Sequence, residues 1–243
     1  MYKRQPPTTT LFVLLGATTR TGIIAADLWR FTAHGAHAIR TDRSNRFAYV
    51  PHIANRGPNA IFQFRFDART GRLTANEPAK HSPADYLGPR ALTFHPNLDI
   101  VYFSDEQGSS VTGYNIDQAT GTLTPFQTIS TLPTDYSGSN TCSQIQITES
   151  GRFLYAPNRG HNSVASFQVD GSTGRLTATG RVGTEPVPRA FGVDPDGRFV
   201  FAAGQQSSRL ASYRIDQNDG ALTPLETYEI GANPMWVLIT RLA

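Results

Sequence analysis

The sequence predicts an all-β fold, a β-propeller of four-stranded antiparallel blades. Three observations carry this. A nine-residue pattern recurs four times, as FDARTGRLT at 66–74, IDQATGTLT at 116–124, VDGSTGRLT at 169–177 and IDQNDGALT at 215–223. Each copy lies downstream of two short apolar runs joined by a turn, which gives four strands per unit. The units recur every 46 to 53 residues. Four short strands repeated at that period are the signature of a propeller blade, whereas a β-sandwich requires no repeat.

Residues 1–10, MYKRQPPTTT, match nothing downstream and read as a disordered head or a translation scar. Residues 11–243 read as one propeller domain. Leu11–Gly16 reads as a strand, and Ile23–Phe31 as either a strand or one irregular helical turn. The repeat begins at Gly35, and its strands are named A to D in chain order. The A strands are AIRT at 38–41, ALTF at 91–94, QIQI at 144–147 and AFGV at 190–193, with a fifth, Met235–Thr240, at the end of the chain. The turns DRSNR, HPNLD, TESGR and DPDGR lead into the B strands Phe47–Val50, Ile100–Phe103, Phe153–Ala156 and Phe199–Ala202. The C strands show period-two patterning, with Phe64 and Phe66, Tyr114 and Ile116, Phe167 and Val169, and Tyr213 and Ile215. Asp67, Asp117, Asp170 and Asp216 then each stand four residues before a glycine. Such an aspartate can bond its own turn, and the glycine takes the positive φ that a hairpin into strand D needs. Five A strands imply about five blades, if Leu11–Leu15 pairs with Met235–Thr240 to close a ring.

Charged residues make up 17% of the chain and aromatics 10%, as in an ordinary folded chain rather than a disordered one. No apolar run approaches the roughly 18 residues of a membrane span, and Leu11–Leu15 lacks a signal-peptide cleavage pattern. A cytoplasmic protein without a membrane partner is the expectation. Cys142 is the only cysteine, which excludes an internal disulfide. Beside a predicted strand, it reads as a buried, inert thiol. No His–Cys zinc spacing exists, and no metal or cofactor is expected. The formal charge is +3, and Lys3 and Lys80 are the only lysines. The arginines are scattered rather than clustered, which argues against a nucleic-acid partner. Their forked donors suit a small anionic molecule.

Two positions in the repeat carry the chemistry. At the start of the A strands the equivalent residues are His37, Arg90, Ser143, Arg189 and Met235; at the exit of the B strands they are Ile53, Glu106, Arg159 and Gln205. A and B run antiparallel, so both positions fall at the same end of a blade, and A is the strand nearest the axis. The polar members are expected to ring one mouth of the central channel, with Asn158 a weaker candidate beside them. Loop ends are polar in any case, but three arginines, a histidine and a glutamate at two positions is a more specific pattern. Convergent arginines can hold a phosphate or carboxylate and stabilise an oxyanion. Glu106 or His37 can take a proton. His34, His52, His81, His95 and His161 read as structural or surface residues.

GAH at 35–37, GPRALTFHP at 88–96, GRFLYAPNRGHNSVASFQVD at 151–170 and PRAFGVDPDGRFVFAAGQ at 188–205 resemble the lactonase family of seven-bladed propellers, as does the closing GANPMWVLI at 231–239. That family includes propeller-type 6-phosphogluconolactonase and the fungal 3-carboxy-cis,cis-muconate lactonizing enzyme. The resemblance implies catalytic roles for His37, Arg90, Glu106 and Arg159, with Arg189 and Gln205 as pocket neighbours; the repeat alignment adds Ser143 and Asn158 to the expected substrate-binding residues. The activity it implies is hydrolysis of an anionic sugar lactone. The alternatives are cycloisomerisation of carboxymuconate, or a non-catalytic scaffold or fragment. Ser143-Gln144 stands where the family shows Ala-Glu, and five A strands stand where the family has seven blades.

Overall fold

A computed structural model describes residues 34–84 and 86–241. Sixteen strands form four antiparallel sheets of four, each in the simple order A-B-C-D, and no helix occurs among the described residues. Blade 1 holds β1 (Arg40–Thr41), β2 (Phe47–His52), β3 (Ala60–Asp67) and β4 (Arg72–His81). Blade 2 holds β5 (Pro89–Phe94), β6 (Ile100–Asp105), β7 (Ser110–Ile116) and β8 (Leu123–Ser130). Blade 3 holds β9 (Gln146–Ile147), β10 (Phe153–Asn158), β11 (Ser163–Val169) and β12 (Leu176–Gly183). Blade 4 holds β13 (Pro188–Val193), β14 (Phe199–Gly204), β15 (Arg209–Ile215) and β16 (Leu222–Glu229).

Most of the core lies between blades, and one smaller cluster, Ile39, Ala48, Val50 and Phe64, belongs to blade 1 alone. The B strands β2, β6 and β10 are buried at every residue, so both of their faces are covered. One apolar cluster joins Phe47, Tyr49 and Ile61 of blade 1 to Leu92, Val101 and Phe103 of blade 2. A second joins Ile100 and Tyr102 to Leu154 and Phe167, and a third joins Phe153 and Tyr155 to Phe191 and Val200. The outer D strands are mostly exposed, and β16 almost entirely so. The A strands of blades 2, 3 and 4 touch in succession, as inner strands around an axis must. Polar links lock neighbouring blades. Tyr49, Tyr102 and Tyr155 each donate a hydroxyl to the hairpin glycine carbonyl of the next blade, at 2.9, 2.6 and 2.9 Å.

The turns follow the sequence reading. Asp117 Oδ1 accepts the amides of Ala119 and Thr120, and Gly121 closes that hairpin at φ +75°. The equivalent aspartates at 67, 170 and 216 bond their own turns in the same way. In the A–B turns, Asp42 and Asp194 accept the two amides that open the next strand. His95 plays a comparable part, its Nδ1 accepting from the amides of Asn97 and Leu98.

The fifth inner strand does not form among the described residues. Met235–Thr240 carries no strand pairing, and Met235, Trp236 and Leu238 are exposed. Val237 and Ile239 lie over Gly192 of β13, the place of a next inner strand. Among the described residues no strand pairs with this stretch. Four complete blades form among the described residues, and the fifth expected blade is not seen there. The expected strand Leu11–Gly16, the stretch Ile23–Phe31 and the ring closure through Leu11–Leu15 lie outside the described residues.

Candidate active site

The structure brings the A-start and B-exit positions to one end of the blades. Arg90 and Arg189 open strands β5 and β13, and each sits at a β-bulge: Pro89 faces Asp105 and Ala91 faces Ser104, leaving Arg90 as the extra residue. Arg189 holds the same place between Pro188 and Ala190. A bulge releases one residue from the pleat alternation and re-aims its side chain. Glu106 follows the last residue of β6, its amide bonded to Gly88 O at 2.7 Å. Arg159 follows the last residue of β10, its amide bonded to Thr141 O at 2.9 Å.

Glu106 is the hub. Its Oε2 lies 2.7 Å from Arg90 Nε and 2.9 Å from Arg159 Nη2. These are close ion pairs rather than well-aligned hydrogen bonds. Its Oε1 accepts from Gln107 Nε2 at 3.2 Å. Gln107 Oε1 in turn accepts the Ala54 amide of blade 1 at 2.9 Å, which ties the hub to the neighbouring blade. Both arginines are also held by backbone. Arg90 Nη1 donates to Ser143 O at 2.7 Å, and Arg159 Nη2 donates to Cys142 O at 2.9 Å. Arg90 is 7% exposed and Glu106 9%. Burial, with Arg159 close by, brings the Arg90 guanidinium down to about 10, and Glu106 offsets part of that. It stays charged at neutral pH. Arg159 Nε is buried and unpartnered, a donor with nothing to bond.

His37 stands at the exposed rim, yet enough protein surrounds its imidazole for burial to lower its pKa. The field of Arg90 lowers it further, against the opposing effects of Gly35 and Glu106. Its Nδ1 lies 2.8 Å from Gly35 O. A carbonyl only accepts, so Nδ1 carries the proton and Nε2 keeps its lone pair. Arg189 is half-buried, and desolvation and Arg159 lower its pKa while Glu106 raises it. Arg90, Glu106 and Arg189 are thus within electrostatic reach of both His37 and Arg159.

The remaining candidates sit differently. Ser143 is fully buried; its hydroxyl donates to Pro188 O at 2.7 Å and its carbonyl receives Arg90, so it positions rather than touches. Gln205 is half-buried and its amide lies 3.7 Å from Met235 Sδ. Asn158 does not reach the mouth. It is fully buried as the last residue of β10, with Oδ1 bonded by Thr131 and Asn140 and Nδ2 donating to Thr131 O and Ser163. A saturated amide has nothing left for a substrate. Cys142 is buried, bonded to Thr131, with its thiol pushed up to about 12 by burial.

Sequence reasoning missed Gln107 and Asp105. Gln107 stood one residue beyond the aligned position. Asp105 is fully buried behind Glu106; its Oδ2 accepts from Ser110 and Thr112, both at 2.7 Å, and its Oδ1 has no partner. Strand alternation was the available signal, since neighbours along a strand face opposite ways. Among the described residues no cluster of His, Cys, Asp and Glu could hold a metal ion.

A family model described as Lactonase, 7-bladed beta-propeller, matches residues 26–239. Among curated proteins, the 6-phosphogluconolactonases of Pectobacterium carotovorum and Pectobacterium atrosepticum are 36% and 35% identical over 208 and 210 residues, matches that cover 86% of this chain and 61% of each relative. The chain thus spans about three fifths of those relatives' length. A solved protein from Lactobacillus plantarum superimposes with a TM-score of 0.76 at 26% identity, covering 83% of this chain and 57% of the other. The periplasmic gluconolactonase of Pseudomonas aeruginosa does so at 0.75 and 27% identity, covering 81% and 55%.

Proposed function

The chain belongs to the lactonase family of seven-bladed β-propellers, and from that premise we propose that it hydrolyses an anionic sugar lactone, 6-phosphogluconolactone being the substrate to test first. The observation that carries this reading is the buried Arg90–Glu106–Arg159 cluster with two further groups beside it, the neutral base His37 and the cation Arg189. Three guanidiniums against the Glu106 carboxylate leave the mouth positive, which suits an anion and opposes a cation.

Two proton acceptors were open in the sequence, and their surroundings differ. Both oxygens of Glu106 are already engaged, by two arginines and an amide. His37 Nε2 keeps a free lone pair. His37 is therefore the base of this mechanism, and Glu106 is the positioning residue that holds the arginines. In the reaction, water adds to the lactone carbonyl carbon as His37 Nε2 takes its proton. The carbonyl oxygen becomes an oxyanion, stabilised by the charge of the nearby Arg159 guanidinium. Collapse breaks the ring C–O bond, and the imidazolium returns the proton to the departing ring oxygen. The product is the open hydroxy acid, with no net change in the protein.

No helix among the described residues is long and apolar enough to cross a membrane. A cytoplasmic setting belongs to the same reading, since the curated relatives carry the name of a sugar-phosphate enzyme. The test is acid release from freshly made 6-phosphogluconolactone, measured near neutral pH with the spontaneous rate subtracted. The expected result is release well above the background rate. Decay at the background rate, with the protein folded, overturns the assignment.

A further inference from the structure

The three arginines at the mouth do not share one task. Arg90 and Arg159 are tied down: each contacts Glu106, and each donates to a backbone carbonyl of the segment 142–143. Those bonds fix their planes and consume donors. Arg189 differs. Among the described residues, no carboxylate, carbonyl or hydroxyl bonds its guanidinium, and the charged groups coupled to it are Arg159, Arg90, Glu106 and His37. Its backbone, by contrast, is built into place. Pro188 O receives the Ser143 hydroxyl at 2.7 Å, Val187 O receives the Gln205 amide at 2.9 Å, and the bulge at Arg189 is flanked by paired residues on β14. A fixed backbone carrying a half-buried, unsatisfied cation beside another cation is a poor arrangement for stability alone. It is a good one for receiving an anion, because the forked donors are partly desolvated and none is consumed internally.

Resting on the lactonase reading above, we infer that Arg189 is the specificity-determining residue for a phosphomonoester on the lactone, remote from the reacting carbonyl. Arg90 and Arg159, held to Glu106, serve the carbonyl end. The division follows from which donors are free. It predicts that Arg189 discriminates between phosphorylated and neutral lactones chiefly through binding.

The test compares Arg189→Met and Arg189→Lys with the parent on 6-phosphogluconolactone and on neutral glucono-1,5-lactone. Arg189→Met is expected to raise KM for the phosphorylated substrate about 10- to 100-fold, the range for one charge-assisted contact, with kcat changed by less than about threefold. The ratio of kcat/KM on the phosphorylated lactone to that on the neutral lactone is expected to fall about 10- to 100-fold. Arg189→Lys restores part of the loss, since it returns the charge without the fork. Equal losses on both lactones, or none on either, overturn the inference. Calorimetric binding of 6-phosphogluconate and gluconate separates this from the lactonase reading. A parent that opens no lactone, yet binds 6-phosphogluconate over gluconate only while Arg189 is present, supports the Arg189 role and removes the proposed reaction. A parent that binds both acids alike contradicts the Arg189 role.

Discussion

Asp105→Asn tests how the fold supports the reaction centre. Asp105 is fully buried at the end of β6, immediately before Glu106. Its Oδ2 accepts two hydroxyls, its Oδ1 accepts none, and burial pushes its carboxyl up from 3.8 to about 7. The native state keeps a proton that the unfolded chain releases, so this contribution is complete below pH 3.8 and is lost as pH rises to about 7. Each tenfold difference in proton affinity between the two states is worth about 1.4 kcal/mol, so the loss is about 4 kcal/mol. Asparagine keeps the shape and an acceptor for Ser110 and Thr112 but has no proton to give up. Histidines with lowered pKa values titrate alike in both proteins and cancel. Urea unfolding at pH 4 and pH 8 reads the result. Relative to the parent, Asp105→Asn is expected to gain about 4 kcal/mol between the two pH values. A parent-to-variant difference that is the same at both refutes the buried, proton-retaining carboxyl.

Other outcomes follow from the same contacts. Glu106→Gln removes the charge shared by two arginines, one of them 7% exposed; unfolding free energy is expected to fall by about 3 kcal/mol, at the low end for breaking a buried pair. Lactone kcat/KM is expected to fall at least tenfold with it, read by acid release. Gly121→Ala puts a Cβ into the Phe47 ring at a φ of +75°, so stability is expected to drop by about 2 kcal/mol or more on a denaturant curve, with KM unchanged in the folded fraction.

Much of this architecture was legible because it repeats. The aspartate-to-glycine hairpins, the buried B strands and the aligned arginines each recur at a fixed offset, so one copy explains the others. What did not recur was harder to read. Met235–Thr240 matches an inner strand in composition, but pairing depends on a neighbour that no local pattern supplies. Asn158 sits one residue before Arg159, and only the strand pleat decides that it faces a saturated amide network instead of the mouth. The bulges at Arg90 and Arg189 are properties of register between two strands, invisible in either strand alone. The roles of His37 and Glu106 separated only when their bonding partners were known.

The most direct test of the reaction centre is the pH dependence of kcat/KM on 6-phosphogluconolactone for the parent and His37→Gln. Burial and Arg90 lower the His37 pKa below 6.5, so the parent is predicted to hold a plateau near neutrality and lose activity only as acid protonates that imidazole. His37→Gln is predicted to fall about 10²- to 10⁴-fold and to lose the acid limb. A variant that keeps the parent's rate and the same acid limb contradicts the account.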